Sequence, residues 1–238
     1  MKVLDLFSGI GGFSLGLERA GMQTVAFCEI NKFCQKVLAK HWPNVPIYDD
    51  VISLTAERLK ADGISVDVIC GGFPCQDIST AGKGAGLNGK RSGLWREYAR
   101  LIGEIRPQYI IVENVAALPY RGIAEVLGDL ASLGYDAEWH CISASAIGAP
   151  HRRDRIWIIA YPNNPSESIS TINAEARRMP IVIRNGGWCR WNGKPDDVRM
   201  ADGISYGMDR VRSLGNAVVP QIPEILGKAI MSHALRDA

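Results

Sequence analysis

Val66-Asp67-Val68-Ile69-Cys70-Gly71-Gly72-Phe73-Pro74-Cys75-Gln76 is the stretch on which the reading of this chain turns. A short, mostly apolar run stops at two glycines, and a cysteine beside a proline follows on the loop. Such a run, bounded by turn residues, reads as a buried strand of a parallel sheet. A second run, Tyr109-Ile110-Ile111-Val112, ends in Glu113-Asn114. In open α/β sheets ligands bind beyond the carboxyl ends of the strands. A thiol at 75 and a carboxyl at 113 can therefore converge on one ligand, which suits covalent catalysis with acid assistance.

Outward from this pair, strand and helix signals alternate. Met1 to Phe7 predicts a strand, followed by a Gly-rich turn and a helix from Gly12 to Ala20 that stops at Gly21. Gln23 to Cys28 predicts a second strand, and Asn31 caps a helix that runs to His41 before Pro43. Further helices are expected over Leu94 to Ile105 and Gly122 to Leu133, with late strands over Glu138 to Ser143 and Arg155 to Tyr161. Pro223 to Leu235 predicts a final helix, with Pro223 in its first turn. This alternation means an α/β fold, a mostly parallel sheet with helices on both faces. Composition shifts at Pro162 toward Pro, Asn, Ser, Arg and Gly. The expected organisation is a catalytic and ligand-binding unit over 1–161, completed by 213–238, with 162–212 as a small irregular insert.

Bulk properties narrow the function classes. A chain of 238 residues, 47% hydrophobic and 22% charged, has room for one large globular domain. A net charge of +2 announces no nucleic-acid partner by itself, but a local basic face is enough for one. No apolar window long enough for a membrane span is found. The start, Met1-Lys2-Val3-Leu4-Asp5, is unlike a signal peptide. Cysteines at 28, 34, 70, 75, 141 and 189 form no close pair, which reads as reduced thiols in a cytoplasmic protein, with no metal site.

The chemistry-bearing positions follow. Glycines in Asp5-Leu6-Phe7-Ser8-Gly9-Ile10-Gly11-Gly12 let a backbone approach a ligand closely, although Gly-rich structural turns are common. The spacing is not the GxGxxG of dinucleotide enzymes, which disfavours a nicotinamide dehydrogenase. Glu29, closing the second strand, stands where a carboxylate binds ribose hydroxyls, and Asp50 can accept from an adenine amino group. Together they suggest an adenosine-containing ligand without a phosphate chain. Cys70, inside its strand, reads as a buried hydrophobe, whereas Cys75 on its polar loop does not. Arg153 and Arg155, alternate residues at a strand start, share a face and can supply a positive field to the thiol; a solvated strand start is the bland alternative. Glu113 ends a strongly apolar strand, so desolvation favours its protonated form.

Five stretches in one order, Asp5 to Gly12, Phe73-Pro74-Cys75-Gln76, Glu113-Asn114-Val115, Arg153-Asp154-Arg155 and Gly215-Asn216-Ala217-Val218-Val219-Pro220, closely resemble the C5-cytosine DNA methyltransferases. The resemblance implies a Rossmann-like S-adenosylmethionine-dependent methyltransferase fold. It implies that Phe7, Gly9, Ile10, Gly11, Gly12, Glu29, Ile30, Asp50, Val51, Pro74, Leu94, Asn216 and Val218 surround S-adenosylmethionine. It further implies that Cys75 adds to C6 of a flipped-out cytosine, with Glu113 at N3, Arg155 on the base carbonyl, and Arg153 and Asn114 in support. Double-stranded DNA is the expected partner, with a restriction enzyme or other recognition partner, and the protein itself is expected to be a monomer. Gln76, Ser79, Lys90 and Arg91 lie in a Gly-rich loop expected to close over DNA. Arg184 and Arg190 are expected to contact it from the insert, where eight Lys and Arg face six Asp and Glu. The insert is short for that family. The alternatives are a tRNA cytosine-C5 methyltransferase with the same pocket, and a non-catalytic module that binds cofactor and DNA.

Overall fold

Strand β1 (Lys2–Leu6) and strand β4 (Val68–Gly71) lie side by side and parallel at the middle of the sheet, with Asp5 opposite Cys70 and Leu6 opposite Gly71. The computed structural model describes residues 1–74, 94–163 and 216–235. Helix α1 (Gly12–Arg19) leads to β2 (Gln23–Cys28), helix α2 (Lys32–His41) to β3 (Ile47–Tyr48), and helix α3 (Ala56–Ala61) to β4. Helix α4 (Leu94–Ile105) precedes β5 (Tyr109–Val115). Helices α5 (Leu118–Arg121) and α6 (Ile123–Ser132) precede β6 (Tyr135–Ser143), and a 3₁₀ turn (Ala144–Ile147) leads to β7 (Asp154–Pro162). The last described helix is α7 (Gln221–Ala234).

The seven strands run in the order β3-β2-β1-β4-β5-β7-β6. Strand β7 is antiparallel to both neighbours, and the remaining pairings are parallel. The fold is therefore the expected α/β type, Rossmann-like and mostly parallel. Alternation along the strands divides the core in two. Leu4, Leu6, Ile69, Ile110 and Val112 face one side, where α4 packs Trp95, Tyr98, Leu101 and Ile102 at helical spacing. Val3, Val68, Cys70, Ile111 and Trp157 face the other, against Phe13 and Leu17 of α1 and Ile222, Leu226 and Ile230 of α7. Asn31 caps α2 by accepting from the Phe33 and Cys34 amides.

Helices α1 and α7 meet along small residues. A Cβ on Gly12 would stand 2.6 Å from the Val218 carbonyl oxygen, and one on Gly16 would collide with the Pro220 carbonyl oxygen. On α7, a Cβ at Gly227 would stand 2.8 Å from that of Ala20. Backbone cannot give way as a flexible side chain can. Gly16→Ala is therefore expected to lower the urea midpoint at unchanged slope, a loss of about 1–3 kcal/mol. At the other end of the helix, Tyr109 Oη meets His233 Nδ1 at 3.0 Å and ties α7 to the start of β5.

Candidate active site

At the carboxyl edge of the sheet a cavity of about 340 Å³ opens between the β1–α1 loop, the end of β2, the loop after β4, the end of β5 and residues 216–218. Its first wall is the loop Phe7 to Phe13. Phe7 turns there with φ 53, a left-handed conformation that costs an aromatic residue about 1–3 kcal/mol. That turn brings Phe7 to the cavity, while its ring stacks 6.4 Å from Tyr98. The loop is stitched by polar groups. Ser8 Oγ donates to the Asp5 carbonyl at 2.6 Å, and the Gly11 amide donates to the Ser8 carbonyl at 2.9 Å.

Glu29 ends β2 and is buried. One of its carboxylate oxygens accepts from the Gly9 amide and the other from the Asn31 amide, each at 2.7 Å. Each oxygen keeps a further lone pair for a ligand hydroxyl. Beside it Ile30 is 73% exposed, an apolar surface at the cavity mouth.

The opposite wall carries the acid. Glu113 is buried, and its Oε1 receives Arg155 Nε at 2.8 Å. Burial pushes the Glu113 carboxyl above its ordinary range, and the Arg155 and Arg153 guanidiniums pull it back down. The two influences oppose each other, and burial sets the direction. Asn114, also buried, donates from Nδ2 to the Phe73 carbonyl at 3.1 Å. Its Oδ1 accepts from the Val115 amide at 2.8 Å. It thus fastens the segment Phe73-Pro74 to the end of β5. Gly72 completes this wall: a Cβ there would stand 2.7 Å from Glu113 Oε2. Gly72→Ala is expected to displace the acid and slow turnover by about 10²-fold, with ligand affinity at the Glu29 end unchanged. Single-turnover rates and calorimetry on one preparation check this.

The structure brings together most of the residues singled out above. Phe7, Gly9, Ile10, Gly12, Glu29, Ile30, Pro74, Glu113, Asn114, Arg153, Arg155, Asn216 and Val218 all line the cavity. Four expected cofactor residues lie outside its lining. Asp50 uses its carboxylate to accept from the Ile52 amide at 2.9 Å. Val51 is buried in the core, and Leu94 packs against that core. Gly11 has φ +85, and a Cβ there would stand 2.6 Å from the Trp42 ring, so this glycine serves the packing of Trp42. Cys75, Gln76, Ser79, Lys90, Arg91, Arg184 and Arg190 lie outside the described residues.

Other cavity residues escaped the sequence reading: Ser8, Phe13, Asn31, Cys34 and Ala217, with Gly72 noted only as a turn residue. Asn31 carried a signal, being the residue after Glu29-Ile30 as well as a cap. Among the described residues, no group of His, Cys, Asp and Glu is arranged to hold a metal ion, and no helix is long and apolar enough to cross a membrane.

A nucleoside fits this donor set. The cavity has glycine backbone and a ribose-type acceptor at one end. Among the described residues its lining cations, Arg153 and Arg155, stand at the other end beside Glu113, and none adjoins the glycines to hold a phosphate chain.

Comparison with known proteins gives a consistent picture. The family model described as C-5 cytosine-specific DNA methylase matches residues 1–186. Type II methyltransferase M2.BsuMI of Bacillus subtilis is 37% identical over 171 residues, covering 67% of this chain and 42% of that protein. Type II methyltransferase M.CviJI of Paramecium bursaria Chlorella virus IL3A is 35% identical over 217 residues, 84% of this chain and 58% of that protein. The chain thus spans about half the length of these relatives. Among solved structures, a protein described as a prophage-encoded DNA modification methyltransferase of E. coli superposes with a TM-score of 0.58 at 32% identity, over 68% of this chain and 47% of that one. The Dnmt2 methyltransferase of S. pombe, at 23% identity, shares the fold with a TM-score of 0.60, over 73% of this chain and 55% of that one.

Proposed function

We propose, from the premise that this chain belongs to the C-5 cytosine-specific DNA methylase family, that it methylates C5 of a cytosine flipped out of duplex DNA, with S-adenosylmethionine as the methyl donor. The observation that carries this reading is one cavity that joins the Glu29 and glycine-loop wall to the Glu113–Arg155 wall. Glu29 would hold the ribose hydroxyls, Phe7 and Ile30 the adenine, and Gly9, Ile10 and Gly12 with Asn216 and Val218 the methionine end. The bound donor supplies an electrophilic methyl group, which C5 of the base accepts.

The residues of the chain do the rest. Cytosine C5 is a weak nucleophile. The Cys75 thiolate forms a bond to C6, and the C5–C6 electron pair becomes available at C5. Glu113 gives its proton to N3, so charge does not build on the ring. Arg155 orients the base through its carbonyl, and Arg153 supports the same end. After methylation the C5 proton leaves, the electron pair returns to the ring, the sulfur–C6 bond breaks, and Glu113 recovers its proton. Asn114 acts as a positioning residue: it fixes the Phe73 carbonyl, two residues before Cys75. Flipping the base costs a few kcal/mol, which contacts to the DNA must offset. We assign those contacts to the loop holding Gln76, Ser79, Lys90 and Arg91 and to the segment 162–212 with Arg184 and Arg190. A restriction enzyme that reads the same site is the proposed partner in the cell.

The test is incubation with tritiated S-adenosylmethionine and either duplex DNA or tRNA, followed by sequencing of the methylated cytosines. Label at C5 of DNA cytosines is expected. Label confined to tRNA would transfer the proposal to RNA, and label in neither would reduce the chain to a binding module.

A further inference from the structure

Asp5 is a fully buried acid that none of the steps above uses. It interrupts the apolar strand β1 directly before the glycine loop. Its backbone carbonyl accepts from Ser8 Oγ, and its Oδ2 accepts from Ser14 Oγ at 2.7 Å. One residue therefore pins both ends of the loop that lines the cavity. Its Oδ1 has no hydrogen-bond partner. Helix α1 begins at Gly11 with no side-chain cap and no acid in its first turn. Asp5 reaches up from the strand to supply the acceptor that helix lacks.

The ionisable groups around Asp5 come from several elements. Cys70 stands opposite on β4, Glu29 and Cys28 end β2, and Tyr98 lies on α4. None of these is a cation. Burial pushes the Asp5 carboxyl up to about 8, the neighbouring Ser14 and the Cys70 thiol oppose that rise, and the Glu29 charge adds to it. The partial positive charge of a helix start favours an anion and disfavours a cation. A ligand that brings a fixed positive charge to this loop needs a compensating negative one.

This inference rests on the donor assignment made above. S-adenosylmethionine carries a cationic sulfonium, whereas the product left after methyl transfer is a neutral thioether. We propose that Asp5 determines specificity between the two: its ionised carboxylate favours the cationic donor over the neutral product, so a proton on Asp5 competes with the donor charge. Coupling of this kind is reciprocal. Donor binding releases a proton from Asp5, and product binding does not.

Calorimetric titration with S-adenosylmethionine and S-adenosylhomocysteine tests this at about pH 6.5 and about pH 9. The donor's α-amino group titrates lower than the product's, because the nearby sulfonium charge disfavours the ammonium, so the ratio in Asp5→Asn at each pH is the reference for the wild type. Relative to that reference, the wild-type product-to-donor ratio of Kd is expected to rise about tenfold with pH. Extra proton release with the donor should appear across buffers of different ionisation enthalpy. In Asp5→Asn, whose amide oxygen can still accept from Ser14, both ligands should bind and only the amino-group contribution to the ratio should remain. In Ser14→Ala, which loses a bond that favours the anion, the rise should move to higher pH. The same pH dependence of the ratio in the wild type and in Asp5→Asn overturns the inference and leaves the site assignment standing. Failure of both ligands to bind at any pH overturns the assignment and the inference together.

Discussion

Cys75→Ala is expected to cut methyl transfer to DNA by about 10⁴-fold or more, with the affinity for S-adenosylmethionine changed by less than a few-fold. The split follows from the division of the cavity. The donor is assigned to Phe7, Gly9, Ile10, Gly12, Glu29 and Ile30, and the thiol to the base. Without sulfur addition at C6, C5 keeps the low nucleophilicity of an aromatic carbon, and the remaining groups can only orient the base. Cys70→Ala is the paired control. That thiol is fully buried, and burial together with the neighbouring Asp5 charge holds it well above the ordinary thiol range, so it supplies no thiolate. DNA containing 5-fluorocytosine should trap a protein–DNA adduct, because fluorine cannot leave as a proton. Mass spectrometry should map that adduct to Cys75. An adduct at Cys70, or substantial turnover by Cys75→Ala, would remove the covalent step from this account.

Glu113→Gln is expected to slow the chemical step by about 10²–10⁴-fold. Glutamine preserves the volume beside Gly72 but cannot pass a proton to N3. The pH dependence carries a sign. Burial raises the Glu113 carboxyl, so the neutral acid persists to higher pH than it would for a surface carboxylate. The wild-type single-turnover rate should therefore fall as pH rises through the Glu113 titration, and the residual rate of Glu113→Gln should lack that limb. A limb that survived in the variant would assign the proton to another group. Loss of the Arg155 partner acts on the carboxyl in the same direction as burial: Arg155→Met removes a charge that favours the anion and should shift the limb upward in pH.

The parts of the fold legible in the sequence are those with dense local signals. Continuous apolar runs announced β4 and β5, and Asn31, Gly21 and Pro223 marked helix ends close to where they stand. Strand β3 has two residues and helix α3 six, with Leu59 buried on the helix, too little for a period to show. The antiparallel course of β7 was not legible, because an apolar run is the same read in either direction. At the site, chemistry pointed to Glu29, Glu113 and Arg155, which the cavity unites. Gly72 was harder to read. Its importance is the absence of an atom next to Glu113 Oε2, which only the assembled sheet reveals. Asp5 did carry a signal, a charge inside Val3-Leu4-Asp5-Leu6, but such an acid reads as a surface position until both faces of the strand are seen to be covered.

The seam of small residues between α1 and α7 has a bearing on biosynthesis. Gly12 and Gly16 leave the ribosome some two hundred residues ahead of Val218 and Pro220, which they are shaped to receive. A nascent chain can pair its central strands early. It cannot finish the cavity until α7 has been translated and has docked, because Asn216, Ala217 and Val218 form part of the wall. A chain cut short before residue 216 is expected to lack that wall, and so to lose donor binding if the proposed assignment holds.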